Sequence, residues 1–193
     1  MVHRSCREHP LSHSKITFRL TFNLQLDKIM ITAKSQKLYS VIALYDMQTT
    51  YFRFVLENIS DDDIHNRLDT KANHIAWLTG SLVEQRYDMA RRLGADVQQQ
   101  ANELFRDNKG VQDGVTYPSL DVFREDWETI TPILRDLLDN LDDDQLEQKI
   151  EMGPDFSMSL FELITFVSYR EANIIGQIAL WRRLLGYPGM RYM

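Results

Sequence analysis

The sequence predicts an all-α fold, a bundle of four amphipathic helices, and three observations carry that prediction. Four long segments between Lys34 and Leu185 repeat apolar residues at close to the helical spacing. Two of them stop at a glycine, Gly94 and Gly186, the residue that most readily takes the left-handed conformation closing a helix. The other two end in joints that resemble each other, ENISDDDIHNRLD and DNLDDDQLEQKI, each placing aspartates ahead of a short apolar-spaced turn.

The first helix is expected over residues 34–59, uninterrupted by proline or glycine, with Leu38, Val41, Tyr45, Phe52, Val55 and Ile59 on one stripe. The second spans about 70–93, with Ile75, Leu78, Leu82, Met89 and Leu93 on its apolar side. A polar stretch follows, with room for a short helix and loops around Gly110 and Gly114. The third helix runs over 119–140 and carries Pro132, which removes one backbone donor and predicts a kink or a break. The fourth follows Pro154 and spans about 159–185. In the acidic joints Asp and Ser read as caps for free backbone N–H groups. A calcium loop would need alternating aspartates, a turn glycine and a closing glutamate, which neither joint has. Tyr45, Tyr51, Phe52 and Phe54 give the first helix more than one apolar face, which predicts burial on two sides and so a homodimer.

Composition narrows the function classes. A formal net charge of −6 argues against a nucleic-acid partner, because phosphate binding needs a concentrated cationic face. The longest apolar stretches are broken by Gln177, Arg182 and Arg183 and are too short for a bilayer, so no membrane partner is expected. The single cysteine, Cys6, cannot form a disulfide within the chain, which fits a reducing cytoplasm. Residues 1–33 are basic and carry three of the five histidines. They read as an ill-packed extension or translated upstream sequence, with Met30 as the natural start and 34–193 as the domain.

Two motifs carry a resemblance. NHIAWLTGSLVEQRYDMARRLG, from Asn73 to Gly94, resembles the second helix of DinB-like (DinB/YfiT-type) proteins, and REANIIGQIALWRRLLGYPGM, from Arg170 to Met190, resembles their last. The family frames are approximately I-A-W-L-x-G-H-L and H-E-x-x-H-x-G-Q-I-x-x-x-R-R-x-x-G. The resemblance implies a four-helix bundle of DinB/YfiT-like type, often dimeric, holding a divalent metal on three histidines in a cleft between helices. Some members are thiol-dependent transferases or isomerases. In this chain the three histidine positions fall on Ser81, Arg170 and Ile174, while Glu171, Gly176 and Gln177 keep the frame.

The chemistry of that exchange stands apart from the resemblance. Two histidines at i and i+4 share a helix face and can serve one ion. Ile174 offers no lone pair, Arg170 stays protonated and repels a cation, and Ser81 alone is a weak ligand. No metal and no cofactor is therefore expected. His65 and His74 remain in the domain, nine residues apart, and read as surface or capping residues. The expected site is a metal-free pocket around Trp77, Ser81, Arg170, Glu171, Asn173 and Ile174, with Glu171, Glu84, Asp46 or a ligand carboxylate as partner for the Arg170 charge. Its ligand would be a small anion or a thiol. A second reading is an enzyme of the thiol-dependent S-transferase or isomerase kind using substituted ligands. A third is an interaction protein whose cleft has collapsed, with Arg170 snorkelling to solvent and Ile174 simply packing.

Overall fold

A computed structural model describes residues 33–192, all within one unit, Ile31–Met193. The extension expected before Lys34 lies outside the described residues, except for Ala33. The fold is mostly helical. Four long helices dominate it: α1 (Tyr39–Val55), α2 (Ile75–Arg92), α4 (Leu120–Asp139) and α6 (Leu160–Leu184). Between them lie the short helices α3 (Asn102–Phe105) and α5 (Asp143–Leu146) and an antiparallel hairpin, β1 (Lys149–Gly153) with β2 (Phe156–Ser159). Among the described residues no helix is long and apolar enough to cross a membrane.

Helix ends follow local chemistry more closely than the apolar rhythm does. The first helix starts later than expected, after a 3-10 turn at Gln36–Leu38 whose N-cap, Ser35, accepts the Lys37 amide at 3.2 Å. It stops at Val55, and Asn58 then takes a positive φ of 59°. The second helix begins at Ile75 rather than near Thr70, because Leu68 and Asp69 turn the chain at φ 45° and 57°. Its cap is His74, whose Nδ1 accepts the Trp77 amide at 3.1 Å. Gly94 and Gly186 stop α2 and α6 as expected, at φ 95° and 88°. Each uses the same pair of bonds: Ala95 N–H to Ala90 and Gly94 N–H to Arg91, then Tyr187 N–H to Arg182 and Gly186 N–H to Arg183.

The acidic joints cap. Asp142 and Gln145 form a reciprocal capping box on α5, and Asp61 of the first joint accepts the Leu120 amide at 2.9 Å, closing the start of α4 from a distance in sequence. Ser159 and Glu162 form a second capping box that starts α6. Pro132 breaks nothing: α4 is continuous across it. The carbonyl that loses its donor, that of Glu128, belongs to an exposed turn where water can take it. The hairpin was not expected. Its strands are mostly exposed, so they carry none of the alternating burial that marks a strand in sequence.

In cross-section α2 packs on α4 and α6, while α1 packs on the same two helices. Fourteen of the eighteen residues of α2 are buried, so it is the central helix and its polar side chains must find partners indoors. Tyr45 and Phe52 of α1 enter the core. Tyr51 and Phe54, read as a second apolar face, meet Tyr192 edge-on at 5.5 Å and the Arg191 guanidinium at 4.6 Å. That face is thus covered by the C-terminal segment of the same chain.

Candidate functional site

The site is built on the register between α2 and α6. Two consecutive pairs cross it: Gln85 with Arg170, and Arg86 with Glu171. The second pair is the more deeply buried. Arg86 is fully buried and meets the Glu171 carboxylate through two parallel bonds, Nε to Oε1 at 2.8 Å and Nη2 to Oε2 at 2.9 Å. Its Nη1 donates to Thr49 of α1 and Thr131 of α4, each at 2.9 Å. The guanidinium lies between the rings of Tyr45 at 3.9 Å and Trp127 at 3.5 Å. One side chain therefore touches all four long helices. Two-point hydrogen bonding and aromatic faces on both sides offset much of the cost of bringing this ion pair out of water. The same burial pushes the Tyr45 phenol well up, and its hydroxyl donates to the Thr131 carbonyl at 2.8 Å.

Beside the first pair opens a cleft of about 690 Å³. Leu163, Phe166, Val167 and Arg170 of α6 form one wall, and Trp77, Ser81, Glu84 and Gln85 of α2 form another. Phe105, Lys109 and Met152 of β1 complete the rim. Phe105 reaches the wall because residue 80 is glycine: a Cβ there would lie 2.1 Å from the ring's Cζ, and the ring is itself held against Tyr117 and Phe123.

Arg170 is half-buried in this cleft. Its Nη1 donates to Gln85 Oε1 at 2.7 Å and its Nη2 to Ser81 Oγ at 3.0 Å. Both acceptors are neutral, and among the described residues no carboxylate lies within ion-pair distance of it. Burial lowers its affinity for the proton, yet a guanidinium stays charged at any ordinary pH. The acidic residues expected to answer it are all engaged elsewhere. Glu171 holds Arg86, Glu84 accepts from Arg91 at 2.5 Å and Gln99 at 2.8 Å, and Asp46 accepts from Arg135 at 2.9 Å.

Of the six residues expected at the site, the structure brings Trp77, Ser81 and Arg170 together along the cleft. The other three sit elsewhere. Glu171 is buried against Arg86 and does not line the cleft, Ile174 packs into the core at 4% exposure, and Asn173 is exposed and accepts a 2.7 Å bond from Gln177. Ser81, Arg170 and Ile174 do not fit the ion that the resemblance implies: they supply one hydroxyl already accepting from a cation, that cation, and a hydrocarbon. Among the described residues no three His, Cys, Asp or Glu side chains gather so as to hold a metal ion.

His65 and His74 belong to separate elements and meet with ring centroids 5.2 Å apart. Both have a nitrogen occupied as an acceptor, His74 by the Trp77 amide and His65 by the Tyr117 amide at 3.2 Å. His74 caps as expected, but it is buried. Burial, with the nearby charges of His65 and Arg67, lowers its pKa to about 4.

Arg86 and Gln85, which sequence reasoning did not single out, do the positioning. The signal existed: residue 86 falls on the stripe formed by Ile75, Leu78, Leu82 and Met89, where an apolar side chain belongs. No protein-family model matches the chain, and a search of curated proteins finds no match either.

Proposed function

We propose that the chain is a DinB/YfiT-like four-helix bundle whose cleft binds a small anion, a carboxylate or a thiolate, through Arg170. It would act as a binding or scaffold protein, with a guanidinium where the resemblance places a metal cation. The four long helices and the glycine closures of α2 and α6 support the architecture. One observation carries the function: Arg170 is half-buried and hydrogen-bonded only to neutral oxygens, while the neighbouring carboxylates are committed to other arginines. A guanidinium has five N–H donors, and two of those of Arg170 are used, so donors remain for an incoming anion. A charge in partial burial without a counter-charge leaves electrostatic energy that such a ligand would recover.

Ligand-dependent thermal unfolding tests this. A small carboxylate or thiolate present at a hundred times its Kd adds about 2.7 kcal/mol to the native state. For a domain of this size that raises Tm by about 5–10 °C. Arg170→Met should unfold near the same temperature as the parent without ligand and show no shift with it. A shift that survives in Arg170→Met would remove the basis of the proposal.

A further inference from the structure

We infer that the anion held at Arg170 is the carboxylate of an amphiphile, a free alkanoate of medium length whose chain lies along α6 towards the β1–β2 hairpin. This rests on the anion reading above and adds to it a substrate class and a direction. Val167, Phe166 and Leu163 precede Arg170 by three, four and seven residues, which places them on its helix face, one and two turns away. All three line the cleft, and the run from Arg170 to Leu163 is about 10 Å long at the helical rise. Met152 of β1 lies on the same cleft. Phe166 and Met152 are 50% and 41% exposed, so two large apolar side chains are left half-covered in a concave wall. Trp77 and Phe105 supply apolar surface from the other elements.

Charge decides between an amphiphile and a polyanion. Arg91 and Arg92 on the cleft pair with Glu84 and Asp88, and Arg106 pairs with Glu103 and Asp107. Lys109 is exposed on the rim, where its ammonium donates to the Glu103 carbonyl. One recessed cation without a carboxylate, next to an apolar trough, matches one negative charge and a hydrocarbon tail. The volume, about 690 Å³, lies within the range of small-molecule sites.

Calorimetric titration of the full chain with butanoate, octanoate and octan-1-ol tests the inference. Octanoate should bind roughly 15-fold more tightly than butanoate, the value for four extra methylenes half removed from water. Phe166→Ser, at a half-exposed position, should weaken octanoate several-fold and butanoate less. Arg170→Met should abolish both, and Arg170→Lys should keep the chain-length preference at lower affinity. Equal binding of the two acids through Arg170 would overturn the inference and leave the anion reading standing. The inference also falls, alone, if neither acid binds while small thiolates still raise Tm through Arg170. If octan-1-ol binds as well as octanoate, or if no anion binds at all, both fall.

Discussion

At the scale of single residues, the molecule turns on one buried arginine. Arg86 joins four helices, and among the described residues the carboxylate it pairs with is Glu171. Glu171→Gln leaves that charge indoors without its partner, a change that typically costs about 3–5 kcal/mol. Urea unfolding should show a loss in that range, and a cost under about 1 kcal/mol would mean that the aromatic faces and threonines suffice. The double variant Arg86→Met/Glu171→Leu should recover most of the loss, since apolar replacement of a buried pair is often neutral. The pair was legible only in outline. Glu171 and Arg86 each sit on an apolar stripe, which says that they are buried; that they meet each other requires the register between α2 and α6, which no local pattern specifies. Glu171, one of the partners expected for Arg170, serves Arg86 instead, because adjacent residues on a helix point about 100° apart, a constraint already readable in the sequence.

At the scale of elements, two helix ends, the start of α4 and the end of α1, are finished by distant side chains. Arg182, in the last turn of α6, closes α1. It donates to the carbonyls of Phe54 at 2.9 Å, Val55 at 2.8 Å and Glu57 at 3.2 Å, and to that of Pro188 at 2.7 Å. Of these, the Val55 carbonyl in the last turn of α1 is one that the helix end leaves without an intrahelical donor. Arg182→Lys keeps the charge and loses the planar fork, so several of these carbonyls go unmet, at a cost of about 2–3 kcal/mol. Native-state amide exchange should then quicken selectively in the last turn of α1, and uniform protection across the variant would refute the capping role. The four long helices and the stops at Gly94 and Gly186 were readable because period and glycine act locally. The α1 end was not, since its cap comes from a residue more than 120 positions away. Nor was the hairpin, whose strands bury little and sit astride Pro154.

At the scale of the whole molecule, His74 makes stability depend on pH. Its folded pKa of about 4 lies below the 6.5 of an unperturbed histidine, so between those values the unfolded chain binds more protons. Its contribution is complete above pH 6.5 and is lost as pH falls towards 4, by up to about 3 kcal/mol. Asp126 works in the opposite sense, because burial raises its pKa and favours its protonated form in the fold. Asp142 and Glu162, with lowered pKa values, lose their contribution only in more acidic solution. Chemical denaturation between pH 7 and 4.5 should show stability falling with acid, and His74→Asn, which keeps a cap acceptor, should flatten that slope. An unchanged slope in the variant would assign the dependence to other groups. Of the cleft, Arg170, Ser81 and Trp77 were legible as residues of two long helices, because the helical period acts locally. Its outer rim comes from Phe105, Lys109 and Met152, in segments without helical rhythm, and so could not be read.

Because the cleft-lining rung and the hidden rung occupy neighbouring positions on both helices, the walls that α2 and α6 give the chamber keep their spacing unless the centre of the protein rearranges with them. A ligand therefore meets walls already set, and little ordering of the host opposes its entry. Rigidity of this kind discriminates by the width available between α2 and α6, while the hairpin side of the cleft, at Met152, is held by neither rung.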